Sequence, residues 1–408
     1  MRLARLILSM AGVAALVIGA SALAEEGESV SDGVVRIGLI VDMSGPYAYL
    51  AGEGTVTAAR MAIEDFGGTV LGRPIEVVYA DHRSKSDVAA AQAREWFDTG
   101  KVDALVDVTG SPAALAVAKV ARQFNRISLF NTATAVRLTN EACSPVTIHW
   151  AFDSYALAHV AARELARTGG DSWYFVTSDF TAGLALEKDA ADVVRSEGGV
   201  VLGSSMHAVN IADFSSHMLR AQASGAKVIG LATVGQDLIK AIRAARQLGI
   251  AAQGTQRLAA LLIYIDDVHD LGLPMTQGLF LASAFYWDLN EQSRAWSKRF
   301  YGRQHKVPNM AQAGVYSATI HYLKAVQAAG TDRTKDVMSK MRETPVDFFG
   351  VKGTIREDGR MVHDMYLFEV KKPEESSGPW DYYKLRAMVP AEQAFQPLAK
   401  STCPLVAK

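Results

Sequence analysis

Cysteine is almost missing from this chain: Cys143 and Cys403 are the only two among 408 residues. Two isolated thiols cannot build a cysteine-rich zinc or iron–sulfur centre, and the scattered histidines add no ligand spacing, so no metal is expected. An excess of one charge is missing too. The 42 Lys plus Arg are balanced by 43 Asp plus Glu, a net of −1, which leaves no concentrated basic face for nucleic acid or an anionic membrane surface. Beyond the first two dozen residues no apolar run approaches spanning length, so no membrane-crossing helix is expected there.

Signatures of catalysis are also absent. The strand-like run from Val34 leads into Ser44-Gly45-Pro46, which is neither the Gly-x-Gly-x-x-Gly turn of a dinucleotide site nor a phosphate loop ending in Gly-Lys-Ser/Thr. No Gly-x-Ser-x-Gly elbow and no His-Glu-x-x-His helix occurs. His149, His159, His207, His217 and His321 lack acidic or nucleophilic neighbours at recognisable spacing and read as structural. The expectation is a protein without catalytic residues, metal or cofactor. A hydrolase on an α/β scaffold is the rival, which turnover of a bound molecule would revive.

What is present begins with an export signal. Arg2 and Arg5 precede an apolar run from Leu6 to Gly19, and Ala22-Leu23-Ala24 supplies the small-x-small pattern cut before Glu25. Residues 1–24 are therefore expected to be a cleaved signal peptide that delivers a soluble protein to the periplasm. In that compartment Cys143 and Cys403 read as one disulfide tying the C-terminal tail to the body, with two unpaired thiols as the alternative.

From Val34 onward apolar, β-rich runs alternate with segments of helical period. Runs at Val34–Val41, Ile75–Tyr79, Ala104–Val108 and Ile127–Phe130 are separated by helical patterns at Gly54–Phe66, Asp87–Thr99 and Ala113–Phe124. Apolarity that is continuous rather than alternating marks strands covered on both faces, so a parallel sheet between helices follows. A second series of strands is read at Trp173–Thr177, Val200–Met206, Val228–Ala232, Leu258–Ile263 and Gly278–Ala282, with Met361–Val370 as a later strand. The fold class is α/β, with two doubly wound sheets.

Several strands end in a small hydroxyl or glycine just before a helix: Thr109-Gly110-Ser111-Pro112, Asn131-Thr132-Ala133-Thr134 and Thr233-Val234-Gly235-Gln236. Ligands of open parallel sheets sit beyond the carboxyl ends of the strands, where helix amino termini offer N–H groups and partial positive charge. A carboxylate suits that edge. The bland alternative is that Ser111 and Thr134 only cap helices.

The blocks VVRIGLIVDMSGPYAYLAGEG, SPAALAVAKVARQFNRISLFNTATAVRLT and ATVGQDLIKAIRAARQLGI, taken in order, resemble the periplasmic solute-binding proteins of branched-chain (hydrophobic) amino acid ABC transporters. The resemblance implies a type I periplasmic-binding-protein fold, two lobes joined by three hinge crossovers with ligand trapped between them. It implies an N-terminal lobe of residues 33–151 plus 282–348, a C-terminal lobe of 152–281 plus 349–390, and a tail of 391–408. It places Ser111, Thr132 and Thr134 at the ligand's charged end, Tyr47 or Tyr49 over the ligand, and Phe180 and Thr233 on the opposite lobe. Tyr155 joins this set as an aromatic near a crossover, and Asp266 as a candidate partner for an amine, alongside Asp237 and Asp267.

The expected function is capture of a small carboxylate, a branched-chain or hydrophobic amino acid or an aromatic acid, by a monomer that delivers it to an inner-membrane ABC permease. The alternative is a periplasmic sensor of the same fold acting with a regulatory partner.

Overall fold

The computed structural model describes residues 30–250 and 254–407, so the expected signal peptide lies outside the described residues. The first sheet contains Val35–Val41 (β1), Thr69–Val70 (β2), Arg73–Asp81 (β3), Ala104–Val108 (β4), Ile127–Phe130 (β5) and Thr147–His149 (β6), in the order β2-β3-β1-β4-β5-β6. All neighbours pair in parallel except β2 with β3. The middle strands β4 and β5 are buried throughout, as expected of strands covered on both faces. Close packing extends to the backbone: a Cβ at Gly38 in β1 would stand 2.7 Å from Leu105 and 2.9 Å from the Trp96 ring.

The second sheet is built from Ser172–Ser178 (β7), Val200–His207 (β8), Val228–Ala232 (β9), Arg257–Ala260 (β10) and Leu279–Ser283 (β11), all parallel to their neighbours. A small sheet follows, Val346–Phe348 (β12), Val351–Ile355 (β13) and Met361–Val362 (β14). Met365–Val370 (β15) and Tyr383–Val389 (β16) then add to the second sheet antiparallel, giving the order β16-β15-β11-β10-β9-β7-β8.

Two readings of the sequence change here. The run expected as one strand from Met361 to Val370 is broken at His363 and Asp364, because β14 belongs to the small sheet and β15 to the second lobe. The second sheet's parallel strands end at Ser283, and residues 363–364 separate the small sheet from β15. The strand expected from Leu258 to Ile263 stops at Ala260, which frees Leu261–Tyr264 as a loop.

A buried polar clasp joins two of the crossovers. Arg360, only 1% exposed, bonds the carbonyls of Trp150, Phe152 (3.2 Å) and Met361 (3.0 Å) and pairs with Asp153 at 3.2 Å. His363 Nε2 lies 2.7 Å from the Ala151 carbonyl. Burial pushes the His363 imidazole down to about 4 and the Arg360 guanidinium down to about 10. Successive residues 150–153 are thus held by the segment returning to the second lobe. Cys143 and Cys403 form a disulfide with a Cα separation of 5.7 Å.

Candidate functional site

The carboxyl end of β1 runs into Asp42, a buried acid whose side chain organises the loop after it. Its oxygens accept from the Gly45 N–H (2.9 Å), the Tyr47 N–H (3.0 Å) and the Ser84 hydroxyl (2.7 Å). Any Cβ on Gly45 would lie 2.3 Å from Asp42 Oδ1, so the position demands glycine. The N–H groups of Gly45 and Tyr47 therefore serve Asp42. Tyr47 is half-buried at the start of the helix Ala48–Phe66, where burial and the Asp42 charge raise its hydroxyl pKa.

At the end of β4 the chain turns through Gly110, whose φ of 84° lies in the region glycine favours, into the helix Ser111–Phe124 with Pro112 in its first turn. Ser111 does not cap this helix. Its Oγ accepts from the N–H groups of Thr134 (3.0 Å) and Ala135 (3.1 Å) and lies 3.3 Å from Thr134 Oγ1. That oxygen links the loop after β5 to the start of the helix after β4. Both hydroxyls stand on the first-lobe rim, Thr134 buried and Ser111 partly exposed.

Thr132 faces the other way. Its hydroxyl turns inward, bonding Asp107 at 3.0 and 3.2 Å and the Val108 carbonyl at 3.2 Å. Asp107 also accepts the N–H groups of Asn131 (2.9 Å) and Thr132 (3.1 Å), while complete burial still raises its carboxyl to about 6. A hydroxyl so engaged belongs to the support of the rim.

From the second lobe, the loop after β10 meets the first. Tyr49 Oη donates to Asp267 Oδ1 at 2.9 Å. Asp266, expected as an amine partner, accepts from first-lobe groups on both oxygens: Lys306 Nζ and Asn309 Nδ2 each reach it at 2.9 Å. Lys306 also bonds the Tyr49 carbonyl. Asp237 accepts the Asn210 N–H at 2.7 Å on one oxygen, while its other oxygen, 3.6 Å from Lys240, is buried without a hydrogen-bond partner. Tyr264, which none of the sequence patterns singled out, lies buried between the lobes; burial, then Asp267 and Asp107, push its hydroxyl far above the usual value. It follows a strand and opens the helix Ile265–Leu271, the same signature seen at Thr233.

Phe180 is 43% exposed at the end of β7, opening the helix Thr181–Ser196, and Thr233 is fully buried at the end of the adjacent β9 with no partner for its hydroxyl. Tyr155 sits in the first turn of the helix Ser154–Arg167. It stacks on His159, ring centroids 5.1 Å apart and 13° between planes, and burial, then the nearby Asp189 and Asp153, push its hydroxyl up to about 12. Among the described residues no group of three or more His, Cys, Asp or Glu could hold a metal ion.

The family model for periplasmic binding proteins matches residues 34–378. The chain belongs to the periplasmic binding protein family. A periplasmic binding protein from Burkholderia mallei is 48% identical, with a TM-score of 0.85 over 91% of this chain and 99% of that one. A branched-chain amino acid ABC transporter periplasmic ligand-binding protein from Burkholderia xenovorans is 36% identical, with a TM-score of 0.87 and the same coverage of both chains. A solute-binding protein of an R. palustris ABC transporter, solved with benzoate, shares the fold at 20% identity, a TM-score of 0.78, and coverage of 91% and 100%. No similar curated protein is found. The two-lobe, parallel-dominated architecture of this periplasmic binding protein is the type I fold. No helix among the described residues is long and apolar enough to cross a membrane.

Proposed function

We propose that this chain is the extracytoplasmic substrate-binding component of an ABC importer, capturing a small carboxylate by closure of its two lobes and presenting it to an inner-membrane permease. The observation that carries the ligand class is the Ser111–Thr134 pair, two hydroxyls 3.3 Å apart on the rim where the helix Ser111–Phe124 begins. A hydroxyl pair beside a helix amino terminus suits an anion, because the hydroxyls donate to it and the helix dipole favours it. Tyr47 and Tyr264 supply the apolar walls from either lobe, and Phe180 the lip.

The relatives support two kinds of guest, amino acids and aromatic acids. Of the three acids weighed as amine partners, Asp237 accepts from Asn210 and keeps its other oxygen unpartnered, whereas the two on the interlobe flank are bonded on both oxygens, Asp266 to Lys306 and Asn309 and Asp267 to Tyr49 and the Tyr264 N–H. That occupancy favours an aromatic or other hydrophobic acid over an amino acid, since an ammonium group would compete with bonds already made. A thermal-shift panel tests this: benzoate and its hydroxylated analogues are expected to raise the melting temperature more than leucine, isoleucine or valine. A larger rise with the amino acids would reverse the assignment.

A further inference from the structure

The tail leaves the second lobe at the end of β16 and finishes on the first. Near its start the Ala391 N–H donates to Asp364 Oδ1 at 3.1 Å, and Gln393 lies beside His159 of the second lobe. A few residues later it lies on the hinge clasp, with the buried Phe395 ring 4.6 Å from the Arg360 guanidinium and 5.4 Å from the His363 ring. Gln396 then accepts from Asn140 Nδ2 at 2.9 Å and, through its carbonyl, from Arg356 at 2.7 Å. Ser401 Oγ donates to the Thr139 carbonyl (3.1 Å), the Thr402 N–H to Asn140 Oδ1 (2.9 Å), and Cys403 closes the disulfide to Cys143.

The path is short. From the last second-lobe anchor to the first on the other lobe is a stretch that includes a single helical turn, Ala391–Ala394, and even fully extended it would reach only about 3.5 Å per residue. Held by hydrogen bonds alone, each contributing about 1 kcal/mol, such a tail could peel away as the lobes part. A covalent end removes that escape.

We propose that the tail from Pro390 to Cys403 is a fourth interlobe crossover, locked by the Cys143–Cys403 disulfide, that limits how far the two lobes open in the ligand-free protein. The inference rests on two-lobe closure and is independent of the ligand's identity. Opening is set by three chain crossings plus a strap on the back of the hinge, so the open state is narrower and the reorganisation needed for capture smaller.

The test is small-angle X-ray scattering of the full mature chain without ligand, comparing the oxidised protein with C143S/C403S. A second variant keeps the disulfide but carries Gly-Ser-Gly-Ser inserted between Val389 and Pro390. Both variants are expected to show a larger radius of gyration and maximum dimension, faster hydrogen exchange across 391–403 in the disulfide-free protein, and an unchanged near-ultraviolet dichroism spectrum. Variants that keep the native spectrum yet scatter like the parent would overturn the proposal; where C143S/C403S loses that spectrum, the insertion variant decides. Failure of the carboxylate assignment would appear in the thermal-shift panel and leave the scattering result untouched.

Discussion

The Tyr49 hydroxyl of the first lobe and the Asp267 carboxylate of the second are hydrogen-bonded at 2.9 Å, with Asp267 only 5% exposed. Beside them Asp266 holds Lys306 and Asn309, so two consecutive carboxylates fasten one flank of the interlobe cleft. Tyr49→Phe removes the hydroxyl and leaves Asp267 with the Tyr264 N–H alone. The expected loss is about 1.5–3 kcal/mol of unfolding free energy, the range for a hydrogen bond to a charged group, read by urea titration. An unchanged midpoint would show that the contact contributes nothing.

The same acid sets a pH dependence. Burial raises Asp267 to about 7, and Asp103 likewise to about 7, both above the carboxylate range of an unfolded chain. With the folded pKa the higher one, the folded state binds more protons in between, so the stabilisation is complete below the unfolded pKa and is lost as pH rises through about 7. The depressed imidazoles of His159 and His363, at about 4 when folded, act mainly on the acid side of this window. The melting temperature should fall from about pH 6.5 to about pH 8, and Asp267→Asn should flatten the slope. A melting temperature that rises over that interval would contradict the assignment.

On the first-lobe rim, Thr134→Ala removes a hydroxyl whose protein partner is Ser111 Oγ. The fold should survive, since the Thr134 N–H bond to Ser111 remains. Affinity for a bound carboxylate should weaken by about 1–3 kcal/mol through loss of a charge-assisted hydrogen bond, as measured by titration calorimetry. Equal affinity would remove Thr134 from the site.

Asp107→Ala tests the support beneath that rim. It strands the buried N–H groups of Asn131 and Thr132 and leaves the Thr132 hydroxyl with the Val108 carbonyl alone. A loss of about 3 kcal/mol or more is expected from unsatisfied buried donors, whereas Thr132→Ser, which keeps the hydroxyl, should cost far less. Comparable losses for the two would mean that the hydroxyl is not what matters there.

Much of the architecture was legible because it rests on short-range pattern. β4 and β5 are unbroken apolar runs, and the glycine and hydroxyl signature at 109–112 and 131–134 marks strand ends that the sheet brings side by side. What escaped depends on distant partners or on side-chain direction. Asp266 reads as a free acid until Lys306, forty residues on, is folded against it. Thr132 and Thr134 differ only in which way they point, and a buried Asp107 decides that. Tyr155 stacks on His159, which follows at helical spacing on the same helix. Tyr264 was concealed by the apolar run before it, which read as strand through Ile263 although the strand stops at Ala260.

The most direct test of carboxylate capture is a melting-temperature panel in which each acid is paired with its neutral amide, benzoate with benzamide and leucine with leucinamide among them. Capture at the Ser111–Thr134 rim predicts that at least one acid raises the melting temperature in a saturable way while its amide does not. A panel in which the amides stabilise the protein as strongly as the acids, or in which no acid stabilises it, would contradict the account.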